Sequence, residues 1–209
     1  MPRSLLPLLF LLAASSALAQ DVRSVGGCDI RRGTLCASMN LNGADFSGTN
    51  LAHSQFSRSE LQGANLSGAI LDEANFSYTQ LQGADLSKAM MSRINLRGAK
   101  LNEAKLVDAK LRNANFQNAD LGKADLANAD LTAADFTNAR LVGTSLRGAK
   151  PQRAILRATH LHDTSFVGAD LGGADFTNAL LINADLSGAN IDRAIFLHAQ
   201  MDGCVGCPK

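Results

Sequence analysis

From Leu41 onward a large apolar residue returns at every fifth position, and a small residue, usually alanine, stands two places before it. In KADLANADLTAADFTNARL, residues 123–141, the beat falls on Leu126, Leu131, Phe136 and Leu141. The 33 centres from Leu41 through Met201 are 21 Leu, 8 Phe, 2 Met, Ile191 and one exception, Pro151, so the phase is never lost. Five fits neither standard period. Helical residues five apart point about 140° away from each other, and in a straight strand they lie on opposite faces. All the centres share one interior only if the chain turns a corner once per repeat. The small residue also points inward, and the other three positions hold nearly all the charge together with Asn, Asp, Gly and Ser, which favour turns.

The number of corners per turn follows from what stacks. Phe56/Phe76, Phe116/Phe136 and Phe176/Phe196 are separated by 20 residues. Charges just before the centres agree. Asp85/Lys105, Lys100/Asp120, Lys105/Asp125, Lys110/Asp130, Asp120/Arg140, Asp130/Lys150 and Lys150/Asp170 are opposite pairs at 20, whereas a spacing of 15 stacks like charges such as Asp120/Asp135. Directly stacked like charges are unfavourable, so four corners per turn are preferred. The pattern predicts an all-β fold of about eight coils of 20 residues, with strands of two or three residues. Pro151 lacks a ladder donor, which predicts a small kink or bulge there.

The segments GADLSKAM, NADLTAADF, GADFTNAL and NADLSGAN resemble the pentapeptide-repeat family, with units A-(D/N)-L-x-x around a central Leu or Phe. The resemblance covers Met39 to Gly203 and implies a right-handed quadrilateral β-helix, a solenoid with Leu, Phe and Ala inside. It leaves the biochemical role open, because fold does not determine function. Some family members mimic DNA, dimerise end to end and protect DNA gyrase, which makes a topoisomerase protector or inhibitor one implied reading.

Composition narrows the choice. MPRSLLPLLFLLAASSALAQD joins one basic residue to an apolar run and the small-residue exit Ala17-Leu18-Ala19, the form of a signal peptide cleaved after Ala19. Pro7 and the serines make it a poor membrane span. The expected domains are a signal peptide at 1–19, an N-terminal cap at 20–38, the repeats at 39–203 and a C-terminal cap at 204–209. Localisation is then extracytoplasmic, periplasmic or secreted. The full chain has net charge +1. Loss of Arg3 with the leader brings it to zero, which disfavours nucleic acid and membrane-surface partners and fits poorly with a phosphate mimic.

The four cysteines lie where the repeat fades. Cys28 and Cys36 stand at the start, Cys204 and Cys207 at the end. The two ends lie too far apart for one disulfide to join them, and an exported chain favours local structural disulfides. CVGC is also a redox or metal half-site, so a thiol-disulfide or metal-handling protein is the alternative of a different class. No catalytic motif, cofactor site or metal site is predicted, and the chain reads as a non-enzymatic scaffold or interaction module for a protein partner. His160, His162 and Asp163 sit together as surface residues. Asp120, Asp125, Asp130 and Asp135 form an acidic turn between belts of Lys100, Lys105, Lys110 and of Arg140, Lys150, Arg153, which suits a soluble stack. Leu180, Ile182, Ile195 and Leu197 occupy outward positions and form a candidate partner patch or homodimer surface on the C-terminal coils.

Overall fold

The computed structural model describes residues 24–208. The expected signal peptide, residues 1–19, lies outside the described residues. The chain opens with an antiparallel hairpin of β1 (Ser24–Val25) and β2 (Cys28–Asp29). Gly26 and Gly27 connect them, with φ of 58° and 80°. Positive φ at both central residues is what a type I′ hairpin turn requires.

The expected right-handed quadrilateral β-helix of short strands needs correction. Among the described residues the only strands are β1 and β2. The repeats add none. They meet instead through isolated parallel bridges between residues 20 apart, such as Asp85–Lys105, Asn95–Asn115 and Asp120–Arg140. The physical reason lies in how each repeat divides its five residues. In the repeat opened by Leu81, Gln82 and Gly83 form a turn closed by the Ala84 N–H on the Leu81 carbonyl at 3.0 Å. The second turn residue has positive φ in every repeat from Ser38 to Gly203. That is the type II requirement. Only the residue before each centre directs both its main-chain groups to one neighbour, as Asp85 does with Ala64 and Leu66. One bridged residue per corner cannot grow into a continuous ladder. The β-helix and solenoid descriptions are therefore replaced by a four-cornered stack of turns held by point bridges.

The main-chain donors are satisfied in a fixed scheme. The Leu81 N–H donates to the next rung at Lys100 (2.7 Å), the Gly83 N–H to Asn102 (2.9 Å), the Ala84 N–H closes the turn, and the Asp85 N–H returns to Ala64 (2.9 Å). The fifth donor, at the first turn residue, is left for a side chain. Buried amides need partners, and this scheme explains why polar positions tolerate so regular a backbone.

Inside, the centres from Leu41 to Leu186 are buried, with the small residues packed between them. Phe116 and Phe136 stack with centroids 4.7 Å apart, Phe56 and Phe76 at 4.8 Å, and Phe176 and Phe196 at 4.9 Å. Three intruding threonine hydroxyls donate to carbonyls of the rung below, Thr79 to Phe56 (2.9 Å), Thr144 to Leu121 (2.7 Å) and Thr164 to Leu141 (2.6 Å), whereas Thr159 closes on Leu156 of its own turn (2.6 Å). At Pro151 the register runs through without an inserted residue. The cost is one bridge: Asp130–Lys150 and Asp170–Asn190 form, but no bridge between Lys150 and Asp170 exists among the described residues. Below it, the Leu131 N–H to Lys150 carbonyl bond is stretched to 3.2 Å, against 2.7 Å for Leu111 to Asp130 on the same side.

Candidate functional site

The aspartates and asparagines before the centres serve the turn rather than a ligand. The Asp125 Oδ1 accepts the Ala127 N–H at 3.0 Å, Asp130 accepts Thr132 at 3.2 Å, and Asp135 accepts Thr137 at 2.9 Å. Asn75 and Asn115 do the same for Ser77 and Gln117. These Asx turns supply the acceptor for the fifth donor of the repeat. They also turn the carboxylates away from the basic belts. Lys100, Lys105 and Lys110 are bridged through their backbones to Asp120, Asp125 and Asp130. Yet among the described residues none of these lysines comes within ion-pair distance of a carboxylate, while Arg140 reaches Asp120 only at 4.0 Å.

The electrostatics follow. Desolvation pushes the Asp135 carboxyl up, but hydrogen bonds from Thr137 and Gln117, with the charge of Arg157, outweigh it and hold the group below the usual carboxylate value. At Asp175 desolvation is likewise outweighed, by bonds from Thr177 and by Arg157, whose Nε lies 2.6 Å away. Glu73 is lowered chiefly by its hydrogen bond from Arg93. His53 accepts from Arg32 (2.9 Å) through Nε2 and faces Glu73 (3.2 Å) through Nδ1, which ties the N-terminal cap to a corner of the stack.

The two ends differ. At the N-terminal end the hairpin lies over the first rung, close enough that a Cβ on Gly26 would sit 2.8 Å from the Leu41 side chain. Leu41, Phe46 and Leu51 are fully buried beneath it. Cys28 is bonded to Cys36, with Cα atoms 5.6 Å apart and both residues buried. At the other end Cys204 is bonded to Cys207, Cα atoms 5.9 Å apart. There Ile191, Phe196 and Met201 are only half-buried. Among the described residues their N–H groups have no main-chain acceptor, although Leu171, Phe176 and Leu181 one rung earlier each donate. Beside this open end, Ile195 and Leu197 are exposed by 48% and 56%, while Leu180 and Ile182 are half-buried.

The His160 and His162 rings stand 6.3 Å apart. Among the described residues no group of three or more His, Cys, Asp or Glu side chains could hold a metal. No described helix is long and apolar enough to cross a membrane.

The pentapeptide-repeat profile matches eight copies over residues 40–77, 79–118, 109–148, 134–173, 152–181 and 169–205. The chain belongs to the pentapeptide-repeat family. This family generally comprises non-catalytic structural and regulatory proteins. Among solved pentapeptide-repeat proteins, HetL of the cyanobacterium Nostoc sp., involved in heterocyst differentiation regulation, is 29% identical over 83% of this chain and 89% of its own, with a TM-score of 0.41. A trypsin-treated form of QnrB1, a plasmid-mediated fluoroquinolone resistance protein, is 22% identical over 83% of this chain and 82% of its own, with a TM-score of 0.53. That likeness concerns the fold alone. A protein of the Arabidopsis thaliana thylakoid lumen is 38% identical over 50% of this chain and 69% of its own, with a TM-score of 0.28. No curated protein is significantly similar to the chain.

Sequence reasoning missed two features of the family repeat as it stands here: the left-handed second turn residue and the Asx acceptor. Both left a signal. Glycine and asparagine recur at the second turn residue, where Val, Ile and Thr never occur from Ser38 to Gly203, and Asp and Asn recur just before the centres.

Proposed function

We propose that the protein is an extracytoplasmic, non-catalytic binding module that docks a protein partner, a second copy of itself in the first instance, on its C-terminal end. The observation that carries this is the asymmetry of the ends. Leu41, Phe46 and Leu51 are sealed by a disulfide-bonded hairpin, whereas Ile191, Phe196 and Met201 remain half-exposed beside Ile195 and Leu197. Uncovered ends of repeat stacks need capping. Among the described residues the open end leaves the Ile191 and Phe196 N–H groups and the Ala194 and Ala199 carbonyls without a main-chain partner, beside the apolar side chains. The sealed N-terminal end blocks head-to-tail growth. Two local disulfides suit an oxidising compartment.

Sedimentation velocity tests the reading. The wild-type chain is expected to self-associate, and the exposed double substitution Ile195→Lys with Leu197→Lys to leave a folded monomer. A wild-type monomer at all concentrations that also captures no partner through this end overturns it.

A second reading, protection of a topoisomerase by DNA mimicry, is supported by the shared fold with QnrB1, whose name ties it to fluoroquinolone resistance. A supercoiling assay with DNA gyrase and a fluoroquinolone separates the two: rescue of activity by the added protein favours mimicry, and its absence favours the scaffold.

A further inference from the structure

Most corners of the stack are filled by side chains at both turn positions. Residues 172 and 173 are both glycine, the one place in the repeats where this happens. The missing side chains leave a notch of about 530 Å³ between Gln152 and Arg153 on one side and Asp192 and Arg193 on the other. The size falls within the range of small-ligand pockets, roughly 300–1,000 Å³.

The charges around the notch favour an anion. Arg153 and Arg193 occupy the same corner position two rungs apart, roughly 10 Å by main-chain spacing. The Arg153 side chain runs across the bare Gly173, its Cγ 3.3 Å from where a Cβ would be. Among the described residues neither guanidinium has a carboxylate within ion-pair distance. Two acids adjoin the notch: Asp192 on the lip, and Asp170, whose Oδ1 lies 3.3 Å from where a Cβ on Gly172 would be. Asp170 is held by the Gly172 N–H (3.2 Å), the Asn190 amide (3.0 Å) and the Gln152 amide, and Lys150 adds positive charge on that side.

We propose that the notch between Arg153 and Arg193 binds a small ligand through a phosphate or carboxylate group. The planar guanidinium forks give paired, charge-assisted hydrogen bonds that match either oxyanion. The glycines leave room for the ligand between the two guanidinium groups. The site is independent of the apolar end.

Chemical-shift titration of the intact protein with inorganic phosphate, and separately with citrate, tests this. Saturable shifts are expected at Gly172, Gly173, Arg153 and Arg193. Arg153→Ala and Arg193→Ala should each weaken binding about tenfold or more, on the scale of a charged hydrogen bond. Should either alanine variant misfold, Arg153→Lys and Arg193→Lys keep the charge and remove the fork, and the same loss is expected. Gly173→Asn fills the notch with a residue that this turn position accepts at Asn113 and Asn178, and it should also abolish binding. The relative strength of the two probes identifies the oxyanion. Shifts spread equally over Lys100, Lys105 and Lys110, binding unchanged in Gly173→Asn, or no saturation with either probe would each overturn the proposal.

Discussion

Leu126→Ala isolates the packing that holds the stack together. Leu126 is fully buried and lies on the same side as Leu106 and Leu146, with Ala124 and Ala129 beside it. Removing three carbons forfeits roughly 2.4 kcal/mol of transfer free energy at about 0.8 kcal/mol for each. A cavity term adds to this wherever the surroundings cannot close. Here they are pinned on both sides, by the Leu106 N–H to Asp125 carbonyl bond at 2.7 Å and the Leu126 N–H to Ser145 bond at 2.8 Å. The expected loss is therefore in the upper part of the Leu-to-Ala range, roughly 3–5 kcal/mol. Met201→Ala, at the half-buried open end, removes contacts that are already incomplete and should cost under about 2 kcal/mol. Asn128→Gly keeps the positive φ of 59° accessible and should stay within about 0.5 kcal/mol. Urea titration followed by circular dichroism measures all three. Equal losses at Leu126 and Met201 would refute the reasoning, because the central rungs would then be no more constrained than the last.

Asp135→Ala removes an Asx acceptor and should cost about 1 kcal/mol, while Asp135→Asn retains the acceptor and should cost less; thermal unfolding of both variants checks this. Asp135, Asp170 and Asp175 have folded pKa values below their unfolded ones, so the stability they contribute is complete above the ordinary carboxylate pKa, about 3.9, and drains away as pH falls through the lowered values. Replacing Asp135 and Asp175 with Asn should flatten the fall in stability below about pH 4, and an unchanged acid limb would contradict the assignment. Gly98→Ala places a Cβ 2.7 Å from the Tyr78 ring at a φ of 65°, so Tyr78 should swing off the corner, seen as a shift in its ring resonances, with a loss of roughly 1–2 kcal/mol for the left-handed backbone. Reduction should raise hydrogen exchange at residues 24–46 and 196–207 while the middle stays protected, since each rung is coupled mainly to its neighbours.

The inward residues were legible because burial imposes one requirement on every repeat: Leu, Phe or Met at the centre and a small residue before it. The phenylalanine pairs at 20 carried the stacking distance for the same reason. The element type was not legible. Whether Gln82-Gly83-Ala84-Asp85 makes a short strand or a turn with one bridged residue depends on φ at Gly83, which apolar periodicity does not encode. The aspartates misled in a related way. Asp125 and Asp130 look like partners for Lys105 and Lys110, but their own Ala127 and Thr132 amides are nearer and lack another acceptor. Cys28, Cys36, Cys204 and Cys207 marked the ends, yet nothing in their spacing says that the hairpin seals its end while the last rung leaves Ile191, Phe196 and Met201 half-covered. That difference comes from Gly26 packing on Leu41 and from Gly206 occupying the last centre without a side chain.

Hydrogen exchange at dilute and at concentrated protein tests the docking role of the C-terminal end most directly. Protection at residues 191–203 should rise with concentration while residues 24–46 stay unchanged, and the rise should disappear in the variant carrying Ile195→Lys and Leu197→Lys. Concentration-independent exchange at 191–203, or a rise at the hairpin end instead, would contradict the account.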